Sequence, residues 1–366
     1  MAIVNRRMKV MHIISGDLWA GAEVQAYTLL KELRTDCDLH VILMNPGELA
    51  DRLAALKIPV TILDETKMNA GKILLGMRKI MLVFRPDVIH THRQKENVLG
   101  AIANMFSVRA KSVRTSHGAP EFSAKGYRRI QPLIDKFIGH HLQNGIISVS
   151  EDLTQKLNGI FPPDKIYTIM NGVDIESLRA HAFKADFRSN DPDKMHIGII
   201  GRLEPVKRID IFLQMAALIT AQAEDNIVQF HIIGEGSQRN TLEKMSYELG
   251  LGDNVVFHGH RTDIPACVKS LDVVVMCSDH EGTPMIALET LALGVPLVAH
   301  NVGGLKHILK KYPEWRVDDH TPHGYAKVIA SISEARSREI ALEECYLAHH
   351  NADKTFDVYR LVLEKR

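Results

Sequence analysis

Long apolar runs, paired cysteines and a dominant charge are what this 366-residue sequence lacks. No stretch approaches the ~18 apolar residues of a membrane span, so the chain is not expected to cross a bilayer. The four cysteines, Cys37, Cys267, Cys277 and Cys345, form no CxxC pair and show no ligand spacing. That argues against a disulfide frame or a zinc site and for free thiols in a reducing compartment. Arg6, Arg7 and Lys9 lead only a strand's length of apolar sequence, which stops at Ser15-Gly16-Asp17. A signal peptide is therefore not expected. The net charge is only +1, and no nucleic-acid partner is expected. The balance is uneven along the chain: residues 1–180 hold 24 Lys and Arg against 18 Asp and Glu, the remainder 21 against 26. We read this as two domains of individual character rather than as an anion-binding half.

What is present is ordinary for a globular protein: 45% apolar and 24% charged residues, with a length that suits two domains. Short β-rich runs alternate with helical patterns almost from end to end, the signature of βαβ units and parallel sheets. Strands are expected at Met8–Ile14, Leu39–Met44, Val60–Leu63, Asp87–His90, Ser112–Ser116, Ile146–Val149 and Ile166–Met170. Glu23–Leu33 and Lys72–Phe84 read as helices, the second stopped by Arg85-Pro86-Asp87. The polar stretch Lys184–Lys194 reads as a linker. After it the alternation restarts with Met195–Ile200, Val228–Ile233, Val255–His258, Val273–Met276 and Leu297–Ala299. Phe356, Tyr359, Val362 and Leu363 recur at helical spacing and predict a closing helix. The expected organisation is an α/β chain of two Rossmann-like, doubly wound domains, 1–185 and 186–354, facing a central cleft. Residues 355–366 form the closing helix, with packing back on the N-terminal domain as one option. Chemistry should come from loops at the strands' carboxyl ends.

The strongest signal is Asp279-His280-Glu281-Gly282-Thr283-Pro284-Met285-Ile286-Ala287-Leu288-Glu289. A strand runs into a Gly-Thr-Pro turn that opens a helix, whose free amides and positive end suit a diphosphate. Glu289, about 9 Å along that segment at ~1.5 Å per residue, is placed to accept from a ribose diol, and Glu281 to meet sugar hydroxyls. As structure alone, both glutamates would be solvated helix residues; the E-x7-E spacing in this context favours function. The second signal is Gly201-Arg202-Leu203-Glu204-Pro205-Val206-Lys207. Two cations in the loop after a buried strand can neutralise a diphosphate without a metal. Arg208 and Asp210 beside them read as surface charges.

At this point the chain resembles the retaining GT-B glycosyltransferases of family 4. The residues that carry the likeness run from Ser15-Gly16 and Trp19-Ala20-Gly21-Ala22-Glu23 through His90-Thr91-His92, Ser116-His117-Gly118 and Ser148-Val149-Ser150. They continue through Asn171-Gly172-Val173-Asp174, Gly201-Arg202 with Lys207, and Ile233-Gly234-Glu235-Gly236. Glu281 to Glu289, Gly294-Val295-Pro296 and Val302-Gly303-Gly304 complete a set that spans nearly the whole chain in the family's order. The resemblance implies a GT-B fold and transfer of a sugar, with retention, from a UDP- or GDP-type donor to a carbohydrate or lipid-linked acceptor. Such work belongs to cell-surface polysaccharide, lipopolysaccharide or glycolipid synthesis, in the cytoplasm and peripherally on the membrane's inner face.

It further implies that Arg202 and Lys207 grip the diphosphate and that Gly282, Thr283, Pro284 and Met285 form the turn beneath it. Glu289 would bind ribose and Glu281 the transferred sugar. Gly16, Gly21 and Glu23 would close over the phosphates, and His117 would lie near the reacting face of the sugar. No cofactor and no essential metal are implied. Ala20 departs from the pattern where a first glycine is common, and Arg208 replaces a glycine after the lysine.

Other residues speak more softly. His90 and His92 bracket a strand end and are candidates for the acceptor side. The remaining histidine pairs lack a carboxylate-backed ligand pattern, and Asp36-Cys37-Asp38 and Asp191-Pro192-Asp193 sit away from strand carboxyl ends, so no metal site is expected. Lys125–Lys136 reads as a helix with a solvated basic face, or as a patch for anionic lipid. Two rival functions remain: a sugar-nucleotide epimerase of the same architecture, and a silent nucleotide-sugar-binding or scaffold protein.

Overall fold

The structure is a computed structural model that describes residues 6–17, 19–118, 131–182, 193–222, 227–332 and 340–365. Two compact units emerge, 1–172 with 345–366, and 173–344.

In the first unit β1 (Met8–Ile14), α1 (Gly21–Leu33), β2 (Cys37–Leu43), α2 (Glu48–Ala55), β3 (Val60–Ile62) and α3 (Ala70–Phe84) come first. β4 (Val88–Thr91), α4 (Gln94–Met105), β5 (Lys111–Ser116), α5 (Gln131–His141), β6 (Gly145–Ser148), α6 (Glu151–Asn158) and β7 (Ile166–Thr168) follow. The seven strands form one parallel sheet in the order β3-β2-β1-β4-β5-β6-β7. Val10, Ile14, Val41 and Leu43 pack on one face with α1, and Met11, Ile13 and Ile42 on the other with Ile73, Met77 and Met81 of α3. Near-continuous apolar strands are what a sheet covered on both faces requires. Arg85 ends α3 in the left-handed region at φ 52, and Pro86 follows, so the helix stops where expected.

The second unit holds α7 (Ile175–His181), β8 (Met195–Ile200), α8 (Ile209–Gln222), β9 (Val228–Ile233), α9 (Arg239–Glu248) and β10 (Val255–Gly259). It continues with α10 (Ile264–Lys269), β11 (Val273–Met276), α11 (Met285–Ala292), β12 (Leu297–His300), α12 (Leu305–Ile308), β13 (Arg316–Val317) and α13 (Pro322–Ile332). Its six strands, all parallel, run β10-β9-β8-β11-β12-β13. In both sheets the order reverses beside the first strand, between β1 and β4 and between β8 and β11. A doubly wound sheet opens its ligand crevice at such a reversal, beyond the strands' carboxyl ends.

The unit boundary at Gly172/Val173 precedes the 185/186 division drawn from composition. The reason is α7, which packs against α10 and α11 and so belongs with the second sheet. Residues 183–192, most of the polar stretch read as a linker, lie outside the described residues, as does 125–130 of the basic patch. The last helix, α14 (Ala348–Glu364), begins earlier than 355 and lies on α1, β5 and β6 of the first unit. Its Ala352, Val358, Tyr359 and Val362 enter the same core as Val10 and Ile14.

Candidate functional site

In the second unit, β8 delivers the chain to Gly201, whose φ of 153 and whose carbonyl leave no room opposite. A Cβ on Gly234 would stand 1.9 Å from that carbonyl oxygen, so the loops after β8 and β9 meet only because both positions are glycine. Beyond Gly201 the exposed Arg202 and half-buried Lys207 line one pocket with Met276 and Ser278. Lys207 Nζ donates to Glu281 Oε1 at 2.5 Å. The β11 loop is tied in at the backbone as well, since Asp279 N–H donates to the Val206 carbonyl at 2.9 Å. From the far side the loop after β12 presses in: a Cβ on Gly303 would fall 1.9 Å from the Glu281 carbonyl, and one on Gly304 1.9 Å from that of Gly282. Three loops at the β8, β11 and β12 ends thus hold Arg202, Lys207, Glu281, Gly282 and Thr283 together.

α11 begins at Met285 with Pro284 as its cap residue and no side chain capping it. Its first amides are therefore free of intrahelical partners, as at any helix start. Because the helix starts at Met285, Glu289 sits just over one turn into α11. Glu289 is 9% exposed and has no polar partner among the described residues. Burial alone pushes its carboxyl up to about 7.

Arg208 is engaged within the protein. It reaches Asp210 and Asp279, at 2.9 and 3.3 Å, from a backbone at φ 50, the left-handed region that favours glycine. Asp279 also meets His320 Nε2 at 3.2 Å, and the His320 ring stacks on His300 at 3.7 Å.

In the first unit Gly16 has φ 76, and a Cβ on Gly47 would meet its carbonyl at 2.4 Å. Gly21 opens α1, and Glu23 lies in the first turn. Glu23, expected over a donor's phosphates, is tied within its own unit. Its side chain is fully buried and accepts from Arg93 Nη2 at 2.5 Å. Arg93 also reaches Asp17, at 3.3 Å. Burial raises the Glu23 carboxyl and the Arg93 charge opposes that rise. Glu96, accepting from the His92 and Arg93 amides, is pushed up by burial to about 8. Arg93, a half-buried cation flanked by carboxylates, escaped the sequence reading because neither Asp17 nor Glu23 is near it in sequence.

The histidines form a chain. In parallel register His12 of β1 stands beside His90 of β4, and His92 and His117 follow the ends of β4 and β5. His12 Nδ1 lies 3.0 Å from His92 Nε2, and His92 Nδ1 3.4 Å from His117 Nε2. His90 Nδ1 lies 2.5 Å from the Tyr359 hydroxyl, and its Nε2 2.8 Å from Thr115 Oγ1. Tyr359 in turn lies 3.4 Å from His12 Nε2. His90 and His92 are 0% and 2% exposed, with both ring nitrogens occupied by protein groups. The two residues expected on the acceptor side are thus engaged inside the first unit. Burial keeps all four uncharged at neutral pH, lowering His12 to about 3 and His117 to about 4.

Nitrogens of His12, His90 and His92 come within 4.8 Å of one another, near enough to raise the question of a metal. The rings answer it. His90 and His92 are stacked with planes 16° apart, and His12 and His92 with planes 25° apart. The ring nitrogens are turned to protein partners rather than to one shared point: His12 Nδ1 to His92 Nε2, His92 Nδ1 to His117, and His90 to Tyr359 and Thr115.

Residues 19–177 match the family model described as glycosyltransferase family 4, and residues 182–344 that described as glycosyl transferases group 1. The UDP-Gal:alpha-D-GlcNAc-diphosphoundecaprenol alpha-1,3-galactosyltransferase of Escherichia coli is 27% identical over 329 residues, 85% of this chain and 84% of that protein. The capsular polysaccharide biosynthesis glycosyltransferase CapM of Staphylococcus aureus is 24% identical over 282 residues, 74% of this chain and 73% of that one. Among solved structures, HepE of Anabaena in complex with UDP and glucose superposes with a TM-score of 0.79 at 20% identity, over 98% of this chain and 99% of that one.

Proposed function

The chain belongs to the group 1, family 4 glycosyltransferases of GT-B fold, and from that premise we propose that it moves a sugar from a UDP-linked donor to a carbohydrate or lipid-linked acceptor, with retention and without an essential metal. The observation that carries this is the Lys207–Glu281 contact, made by a lysine that lines a pocket with Arg202 at the strand-order reversal of the second sheet. A UDP-sugar brings about two negative charges to the protein, and bond breaking concentrates charge on the departing phosphate. Arg202 and Lys207 supply cations for it in place of a metal, and the uncapped start of α11 supplies amides. Glu281, next to Lys207, is placed for the hydroxyls of the transferred sugar. Glu289, buried and without a polar partner, is placed to accept from the ribose diol.

UDP is preferred over GDP because the E. coli relative is named for UDP-Gal and the HepE crystal holds UDP. The E. coli relative is also named for a lipid diphosphate-linked acceptor, which supports an acceptor of that kind and work at a membrane surface. No described helix is long and apolar enough to cross a membrane.

The test is product analysis with a panel of UDP-sugars, in EDTA, with and without acceptor. Transfer should persist in EDTA and disappear in Lys207→Ala. Interconversion of the donor without transfer would point to an epimerase instead. Donor binding with neither transfer nor slow hydrolysis would point to a silent binding protein.

A further inference from the structure

The geometry points to Tyr359, on the C-terminal helix α14, as a positioning residue for His117: it completes a hydrogen-bonded chain, Thr115–His90–Tyr359–His12–His92–His117, that holds the His117 ring in one tautomer with its proton on Nδ1. The role in transfer rests on the proposed sugar transfer and on the place near the reacting sugar that the family resemblance implies for His117; the tautomer itself does not.

The direction follows from counting protons. A neutral imidazole has one N–H and one lone-pair nitrogen, and a tyrosine or threonine hydroxyl one proton. A ring that donates at one end must accept at the other; if Tyr359 accepted from both His90 and His12, its own fully buried proton would have no acceptor among the described residues, so two arrangements of the six groups remain. In one, His117 donates from Nε2 inward and every proton shifts toward Thr115. The Thr115 hydroxyl then only accepts, and its own proton has no acceptor among the described residues, although Thr115 is buried. In the other, Thr115 donates to His90 Nε2, His90 to the Tyr359 oxygen, and Tyr359 to His12 Nε2. His12 then donates from Nδ1 to His92, and His92 from Nδ1 to His117 Nε2. Every buried donor is used, and the last proton, on His117 Nδ1, faces away from the chain. A buried donor left without an acceptor is the costlier outcome, so the second arrangement holds. His117, half-buried just past β5, therefore presents an N–H rather than a lone pair, and meets a ligand as a hydrogen-bond donor.

Tyr359 is the only member of this chain outside the sheet and its loops. It is fully buried, and its helix packs over β5 and β6. The tautomer at the mouth of the sheet is thus set by a residue 242 positions later in sequence, Tyr359 against His117.

The experiment uses the full chain labelled with 15N at histidine, observed at pH 7, with assignment by His→Asn variants. His117 should show a protonated, pyrrole-type Nδ1 and a pyridine-type Nε2. In Tyr359→Phe the link between His90 and His12 is cut, and His117 should populate both tautomers. Thr115→Val, isosteric and remote from His117, removes the anchoring donor and should loosen it in the same way if Tyr359→Phe does not fold. Val358→Ala, which weakens the packing of α14 without touching the chain, should leave the His117 signals unchanged. A wild-type His117 with its proton on Nε2, or an unchanged tautomer in both Tyr359→Phe and Thr115→Val, overturns the chain. So does loss of the ring signals to a metal-bound pattern on adding zinc. Where the tautomer loosens, the kcat for transfer should fall with the donor KM unchanged; a constant kcat overturns the part played by His117 in the reaction, and leaves the family assignment untouched.

Discussion

Lys207 Nζ rests 2.5 Å from Glu281 Oε1. The cation proposed for the donor diphosphate is thus already held by the carboxylate proposed for its sugar. An arriving phosphate must share Lys207 with Glu281, and the two substitutions should part company. Lys207→Ala should weaken UDP binding by tenfold or more, the worth of a charged hydrogen bond at about 1.5–3 kcal/mol. Glu281→Gln should bind UDP as well as or better than the parent, since the lysine is released, yet lose transfer. Calorimetric titration with UDP and a transfer assay check both; a Glu281→Gln that loses UDP affinity in step with Lys207→Ala would place the glutamate in nucleotide binding.

Glu289 should impose a pH dependence of definite sign. Its folded carboxyl lies at about 7 against an ordinary 4.5, so between those values the folded protein holds more protons than the unfolded one. Stability attributable to this group therefore rises as pH falls from 7 toward 4.5, and is lost as pH rises. Ligand binding runs the other way, because a ribose hydroxyl donates best to the ionised form. UDP affinity should fall as pH drops through about 7, and Glu289→Gln should bind weakly with a flat profile. The same variant should melt higher than the parent at pH 8, where the parent buries a charge. Thermal scans and titrations at pH 5 to 8 decide it.

Arg208 carries a conflict that substitution can expose. Its backbone sits at φ 50, where a side chain costs about 1 kcal/mol, while its guanidinium joins Asp210 and Asp279 near the surface. Surface ion pairs return about 0–1 kcal/mol each. Arg208→Gly should relieve the strain and come out near the parent in stability, within about 1 kcal/mol. Arg208→Ala keeps the strain and loses the pairs, so it should be the less stable of the two. Urea unfolding of the three proteins ranks them, and an alanine variant as stable as the glycine one would remove the strain argument.

The architecture was legible because its signals are local. Apolar runs such as Val228–Ile233, and punctuation such as Arg85-Pro86, place strands and helix ends without knowledge of the rest. Most of the second-unit site was legible for the same reason: Gly201 to Lys207 and Glu281 to Glu289 are short segments, and each hangs from a strand end. What stayed hidden depends on register and distant packing. Nothing in Arg93 reveals that Glu23 lies against it, and nothing in Tyr359 reveals its contact with His90 and His12. β13 was missed because two residues, Arg316 and Val317, carry no periodicity. The start of α11 was set too early because Pro284, suited to the first turn, serves instead as the cap with ψ 127.

The most severe loss of stability should come from a buried pair in the first unit. Arg114 of β5 donates to Asp135 of α5 at 2.7 Å, with their side chains 8% and 2% exposed, and the guanidinium also lies 4.4 Å over the Phe161 ring. A buried ion pair need not stabilise in net terms, because taking both charges out of water offsets much of their attraction. Removing one partner is another matter. Asp135→Ala leaves a guanidinium in the interior whose Nε already lacks an acceptor, and should cost about 3–5 kcal/mol. Replacing both members with apolar residues, Arg114→Met with Asp135→Leu, should recover much of that loss, since no charge then remains to be buried. Chemical denaturation of the single and double variants tests the asymmetry. If the double variant is no more stable than Asp135→Ala, the loss lies in packing around α5 rather than in the stranded charge.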